Sequence, residues 1–118
     1  MPRLKLSIIL ESGARIGPGK AALLESIRDS GSISAAARDM GMPYKRAWVL
    51  LDSMNRAFDE PVVEAIAGGQ HGGGAVLTPF GADVLARYRR MLAAAEAAAV
   101  EDLAVLGRAA LSDAGPKV

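Results

Sequence analysis

No cysteine occurs anywhere in the 118 residues. Disulfides and cysteine-ligated zinc are excluded, and the chain suits a reducing compartment. Histidine is almost as scarce, since His71 stands alone. A metal held by two histidines at helical spacing has no second ligand. A Ser-His-Asp arrangement would have to recruit His71 from a glycine tract with no nucleophile motif beside it. Neither an enzyme, a metal nor a cofactor is expected. Long apolar runs are also missing. The opening MPRLKLSIIL holds two basic residues, but its apolar run is too short and too interrupted for a secretory signal. No segment reaches the ~20 apolar residues of a membrane helix. A cytoplasmic chain without a membrane partner is the expectation.

Excess charge is the last thing lacking. The formal net charge is +1, with 9 Lys and Arg against 7 Asp and Glu in residues 1–60, and 5 against 6 in residues 61–118. That balance argues against avid, indiscriminate attachment to a polyanion more than against specific recognition. A basic surface must therefore come from local placement, chiefly of Lys45 and Arg46, and from the pairing of two copies. What is present is material for a core. Hydrophobic residues make up 51% and charged ones 23%, the composition of one folded domain of ordinary size.

The densest pattern lies between Ser32 and Phe58. Ile33, Ala36, Ala37 and Met40 recur at i, i+3, i+4 and i+7, so they share one face of a short helix. Ser32 suits its N-cap, and Gly41 suits the left-handed residue that ends it. Pro43 suits the first turn of a second helix, where no N–H is needed. Along that helix Tyr44, Ala47, Trp48, Leu51, Met54 and Phe58 form an inward stripe, with Trp48 assigned to the core. Lys45, Arg46, Val49, Ser53 and Arg56 point elsewhere. Ala35, Ala36 and Ala37 let the helices cross closely. A short alanine-rich helix, a glycine turn and a helix opening on basic residues describe a helix-turn-helix over residues 32–58.

The flanking segments complete a pattern. Leu4, Leu6, Ile8 and Leu10 alternate with Lys5, Ser7, Ile9 and Glu11, which predicts a half-buried strand over residues 3–11. SGAR at 12–15 is a turn, and Ile16 opens a short second strand. Pro18 begins a helix to about Asp29 with Leu23, Leu24 and Ile27 inside, ended by Ser30-Gly31. After the stop at Asp59-Glu60-Pro61, VVEAIA (62–67) and AVLT (75–78) read as strands around the tip GGQHGGG (68–74). In this position the hairpin, residues 62–78, is a wing. The tip lacks the Gly-Lys-Ser/Thr ending of a nucleotide-binding loop. Thr78-Pro79 caps and opens a last helix with the stripe Phe80, Val84, Tyr88, Met91, Leu92 and Ala95. Running to about residue 110, it would extend roughly 45 Å. So small a domain cannot cover that length, so a second copy is expected against it. The expected fold is mostly α with small β: a single winged helix-turn-helix domain over 1–118, with an N-terminal strand, a two-stranded wing and a long C-terminal dimerisation helix over 79–110.

Several side chains suit double-stranded DNA. Lys45 and Arg46 fall in the first turn of the second helix of the motif, and Arg can bond guanine through O6 and N7. Ser34, early in the preceding helix, suits a phosphate, as does the hydroxyl of Tyr44. Val49 suits a thymine methyl. Gln70 and His71 would probe from the wing tip, where glycines permit close approach. Each has a plainer reading: solvated cations, a capping serine, a surface valine and a solvent loop.

With these residues laid out, the chain resembles the N-terminal DNA-binding half of the ModE-type, molybdate-responsive transcriptional regulators. The likeness rests on GSISAAA (31–37), YKRAW (44–48) with MN (54–55), VE (63–64) and GGQHGGGAVLTPFG (68–81), and covers roughly residues 3–92. It implies a homodimer on a palindromic operator, with recognition-helix and wing positions at Tyr44, Lys45, Arg46, Gln70 and His71. It implies dimerisation through residues 3–16 and 79–106, which puts Leu4, Leu6, Ile8, Tyr88, Met91, Leu92 and Leu103 at the dimer interface. Regulators of this kind continue into a C-terminal oxyanion-binding region. These residues hold no counterpart, so a small-molecule effector is not expected of them. Pro43 stands where the best-known members carry Ser, and Arg46 adds a cation at an often small position, so the operator is expected to differ. Two functions stay open: a DNA-binding regulator, with molybdenum or oxyanion genes as implied targets, and a winged-helix protein-interaction module that never touches DNA.

Overall fold

The computed structural model describes residues 2–66 and 74–111. Strand β1 (Ile8–Ile9) pairs antiparallel with β2 (Arg15–Ile16), Ile8 opposite Ile16. The expected strand over 3–11 is regular only here. Its alternation is real, since Leu4, Leu6, Ile8 and Leu10 are half-buried and the residues between them exposed. Residues before Ile8 lie against a helix instead of a ladder, however: the Leu6 carbonyl accepts the hydroxyl of Tyr88 at 2.7 Å.

Helix α1 (Pro18–Ser30) buries Ala21, Leu23, Leu24 and Ile27, as its spacing predicts. Each such leucine or isoleucine contributes about 1.5–3 kcal/mol relative to exposure. Gly31 ends the helix at φ 76°, its N–H donating to the Ile27 carbonyl. Helix α2 (Ile33–Asp39) starts under Ser32, whose Oγ accepts the Ala35 N–H at 2.9 Å. It ends at Gly41, φ 66°. The Gly41 N–H donates to the Arg38 carbonyl and the Met42 N–H to the Ala37 carbonyl, the paired bonds that a left-handed glycine permits. Pro43 sits one step earlier than expected, as the N-cap of α3 (Tyr44–Ala57). Ala36, Ala37 and Ala47 are all buried where α2 and α3 meet α1.

Strands β3 (Val63–Ile66) and β4 (Gly74–Leu77) pair antiparallel from Val63–Leu77 out to Ile66–Gly74. They are the stem of the wing. Its tip, with Gln70 and His71, lies outside the described residues. The stem is tied to the start of α2, for the Ala75 N–H donates to the Gly31 carbonyl at 2.9 Å. Thr78 then fixes the next element from a buried position. Its hydroxyl donates to the Pro61 carbonyl at 2.7 Å and accepts the Gly81 N–H at 2.8 Å. Helix α4 (Pro79–Ala98) passes so close to the wing that a Cβ on Gly81 would fall 1.9 Å from the Val62 carbonyl oxygen.

The single helix expected from 79 to about 110 is two. At Ala99 (φ −100°, ψ 5°) the N–H is shared between the Ala95 and Glu96 carbonyls, which tightens the turn and re-aims α5 (Val100–Ala109). Alanine spacing carries no signal for such a break. Helix α5 approaches the N-terminal segment, where a Cβ on Gly107 would lie 2.9 Å from the Pro2 ring. None of its side chains is buried. Among the described residues no helix is long and apolar enough to cross a membrane. The architecture is a small, mostly helical winged-helix fold with two antiparallel strand pairs.

Candidate nucleic-acid interface

The inward side of α3 is carried by Ala47, Leu51 and Met54, all buried. Apart from the half-buried Leu50, the remaining circumference of its first three turns is open. Tyr44, Lys45, Arg46, Trp48 and Val49 are exposed. The assignment of Trp48 to the core is therefore corrected: it is 42% exposed. Positions 44 and 48 lie on the flank of the buried stripe of Ala47, Leu51 and Met54. There the Trp48 Nε1–H donates to the Tyr44 hydroxyl at 2.5 Å, and the rings meet edge to face with centroids 6.4 Å apart. An i, i+4 pair of this kind stiffens the helix from its surface.

Charge is arranged unevenly along α3. Toward its C-terminal end Asp52 is paired with Arg56, whose guanidinium is held above its ordinary pKa by that hydrogen bond. Toward the N-terminal end Lys45 and Arg46 have no carboxylate partner among the described residues. They do not point the same way. Arg46 lines a groove of about 300 Å³ between α3 and the start of α1, whereas Lys45 lies outside it. Ser34 is exposed at the start of α2, its Oγ 3.4 Å from that of Ser32. Val49 is 58% exposed on the outward side. The helix thus offers an aromatic pair, a lysine and a valine to one side and an arginine to the other.

The chain is 49% identical over 87 residues to the molybdenum-pterin-binding protein MopB of Rhodobacter capsulatus, covering 73% of this chain and 32% of that one. It is 38% identical over 87 residues to the molybdenum transport protein ModE of Azotobacter vinelandii, covering 74% and 32%. It is 40% identical over 83 residues to the DNA-binding transcriptional dual regulator ModE of Escherichia coli K12, covering 70% and 32%. Over these residues the chain is similar to ModE and Mop proteins. It spans about a third of the length of the relatives it matches. No family model matches it.

Against that ModE similarity, Asn55 is a residue whose role sequence reasoning did not assign. Its Oδ1 accepts the N–H groups of Val62 and Val63 at 2.8 and 3.2 Å, and its Nδ2 donates to the Val63 carbonyl at 3.2 Å. The side chain locks the end of α3 to the wing stem. An asparagine directly after the buried Met54 was the available signal. The residues expected at a dimer interface divide. Leu4, Leu6, Ile8, Leu92 and Leu103 are half-buried within the single chain, and Met91 is 44% exposed. Tyr88 is 1% exposed, so its ring belongs to the protomer's own core and faces no partner.

Proposed function

We propose that this chain is a sequence-specific DNA-binding transcriptional regulator that acts as a homodimer on a palindromic operator. The observation that carries the reading is the open first half of α3, with Tyr44, Lys45, Trp48 and Val49 projecting from a helix-turn-helix whose wing is locked to it by Asn55. An α-helix fits the major groove, and the groove edge rewards this set: a cation for guanine, a methyl-bearing surface for thymine and hydroxyls for phosphate. Lys45 and Val49 read bases. Tyr44, Arg46 and Ser34 hold the helix in register, and Gln70 and His71 reach from the wing. A relative named as a DNA-binding transcriptional regulator supports the reading. Molybdenum in the names of two others points to molybdenum-related genes as the targets. No residue here is assigned to an effector.

A two-fold operator follows from pairing two protomers through residues 3–16 and α4–α5, where Met91, Val100, Val105 and Leu106 are exposed. The test is gel retardation of promoter fragments at physiological salt. Retardation that excess unrelated duplex does not abolish supports the reading. Retardation lost to any competitor, or none at all, favours the protein-interaction module, to which the near-neutral charge and the exposed apolar α5 also point.

A further inference from the structure

The groove beside α3 carries more than one cation. Arg15 from β2, Lys20 from the first turn of α1 and Arg46 from the first turn of α3 line it together, and its lining contains no Asp or Glu. Elsewhere four arginines, Arg28, Arg56, Arg87 and Arg89, are paired, whereas Arg3, Arg38, Arg90 and Arg108 meet no carboxylate among the described residues. Arg15, Lys20 and Arg46 meet none among them either. Three elements therefore gather like charges in one concavity, an arrangement that an anion relieves.

The groove is also held in place. The Lys20 Nζ donates to the Arg15 carbonyl at 2.8 Å and to the Ser53 hydroxyl at 3.4 Å, which fixes the ammonium and leaves one of its three donors open. Gly17, Gly19, Met42 and Leu50 complete the lining. A Cβ on Gly19 would meet nothing within 4 Å, so an oxyanion has room to approach. The groove borders the first turn of α3, one residue from Lys45, on the side away from Trp48.

We infer that Arg15, Lys20 and Arg46 form a seat for a backbone phosphate of the DNA strand that flanks the groove entered by α3. The inference rests on the DNA-binding reading above and gives the register role of Arg46 a definite form, one phosphate shared with Arg15 and Lys20, in place of the guanine contact that the sequence alone offered it. The seat takes a phosphodiester as a charge, so it adds affinity and register without sequence preference.

The test is the salt dependence of binding to a duplex that the wild-type chain enriches from genomic fragments, with an unrelated duplex alongside. One neutralised phosphate contributes about 0.9 per protomer to the slope of log affinity against log salt, so Arg15→Gln, Lys20→Gln and Arg46→Gln are each expected to lower the slope by part of that amount and the triple variant by all of it. Each weakens both duplexes by the same factor and leaves their ratio unchanged. Lys20→Arg retains the slope, and Arg28→Gln, in the exposed last turn of α1 and outside the groove lining, leaves it at the wild-type value. Wild-type slopes in all three Gln variants, with DNA still bound, overturn the seat and leave the DNA-binding reading standing. A changed ratio for Arg46→Gln returns that residue to base reading and removes it from the seat. Saturable shifts of the Gly19 and Lys20 amides on titration with inorganic phosphate, together with unchanged slopes, would make the groove a free-anion site and likewise overturn the proposal. Failure of the wild-type chain to enrich any duplex ends both readings together.

Discussion

Trp48 donates its indole N–H to the hydroxyl oxygen of Tyr44, one turn earlier on the same exposed side of α3. The bond occupies the phenol as an acceptor and leaves its own hydrogen free to donate outward. Two residues that a helical stripe would place in the core thus act as one surface unit. Tyr44 becomes a positioned donor and Trp48 its brace.

That pairing makes a double-mutant prediction. Tyr44→Phe removes the donor, and Trp48→Phe removes the brace while keeping a ring. Each is expected to weaken binding to an enriched duplex by about 1 kcal/mol, roughly five-fold. The double variant should lose little more than either one. Fluorescence anisotropy measures this directly, and fully additive losses would mean the two rings act separately.

Lys45 and Val49 carry the base-reading role. Lys45→Ala should cost about 1–3 kcal/mol against an enriched duplex and relax the preference at one base pair. A uniform loss on all sequences would place Lys45 on phosphate instead.

Asn55 makes a stability prediction. Asn55→Ala leaves the N–H groups of Val62 and Val63 without their acceptor and should destabilise the fold by about 1–3 kcal/mol in urea titrations. Asn55→Asp keeps both acceptor bonds but sets a carboxylate oxygen against the Val63 carbonyl where Nδ2 donated, so it should also destabilise the fold.

Gly81 predicts a steric failure. A Cβ there would fall 1.9 Å from the Val62 carbonyl oxygen, which is backbone and cannot swing aside. Gly81→Ala should cost about 2 kcal/mol or more and lower the melting temperature, because α4 must move off the wing stem. Gly19→Ala, with open space around the new methyl, is the matched control and should leave the melting temperature nearly unchanged.

The exposed apolar side of α5 predicts an assembly. Leu106 is 64% exposed, so Leu106→Glu should leave the fold intact and shift sedimentation from dimer to monomer. A wild-type chain that sediments as a monomer at every concentration would remove the dimer.

Much of this fold was legible because local signals agreed with tertiary packing. Ser32, Gly31, Gly41 and Thr78 each cap or end an element by chemistry that needs no partner beyond a few residues, and Leu23, Leu24 and Ile27 bury as their spacing dictates. Trp48 was misplaced because a helical stripe tells which residues share a side, not how far burial extends onto its flanks. The break at Ala99 was invisible, since every residue from Ala93 to Ala99 other than Glu96 is alanine and none marks a turn. The shortening of the first strand followed from its partner, as β2 offers only two residues to pair with. At the candidate interface the sequence identified Lys45 and Arg46. Only the fold separated them, one outward and one toward Arg15 and Lys20.

The central claim is that this chain reads DNA sequence as a symmetric pair. Selection of fragmented genomic DNA on the purified chain at physiological salt tests it most directly. The account predicts enrichment of a two-fold-symmetric motif that Lys45→Ala degrades. Recovery of all fragments at their input frequencies, by both proteins alike, would contradict it.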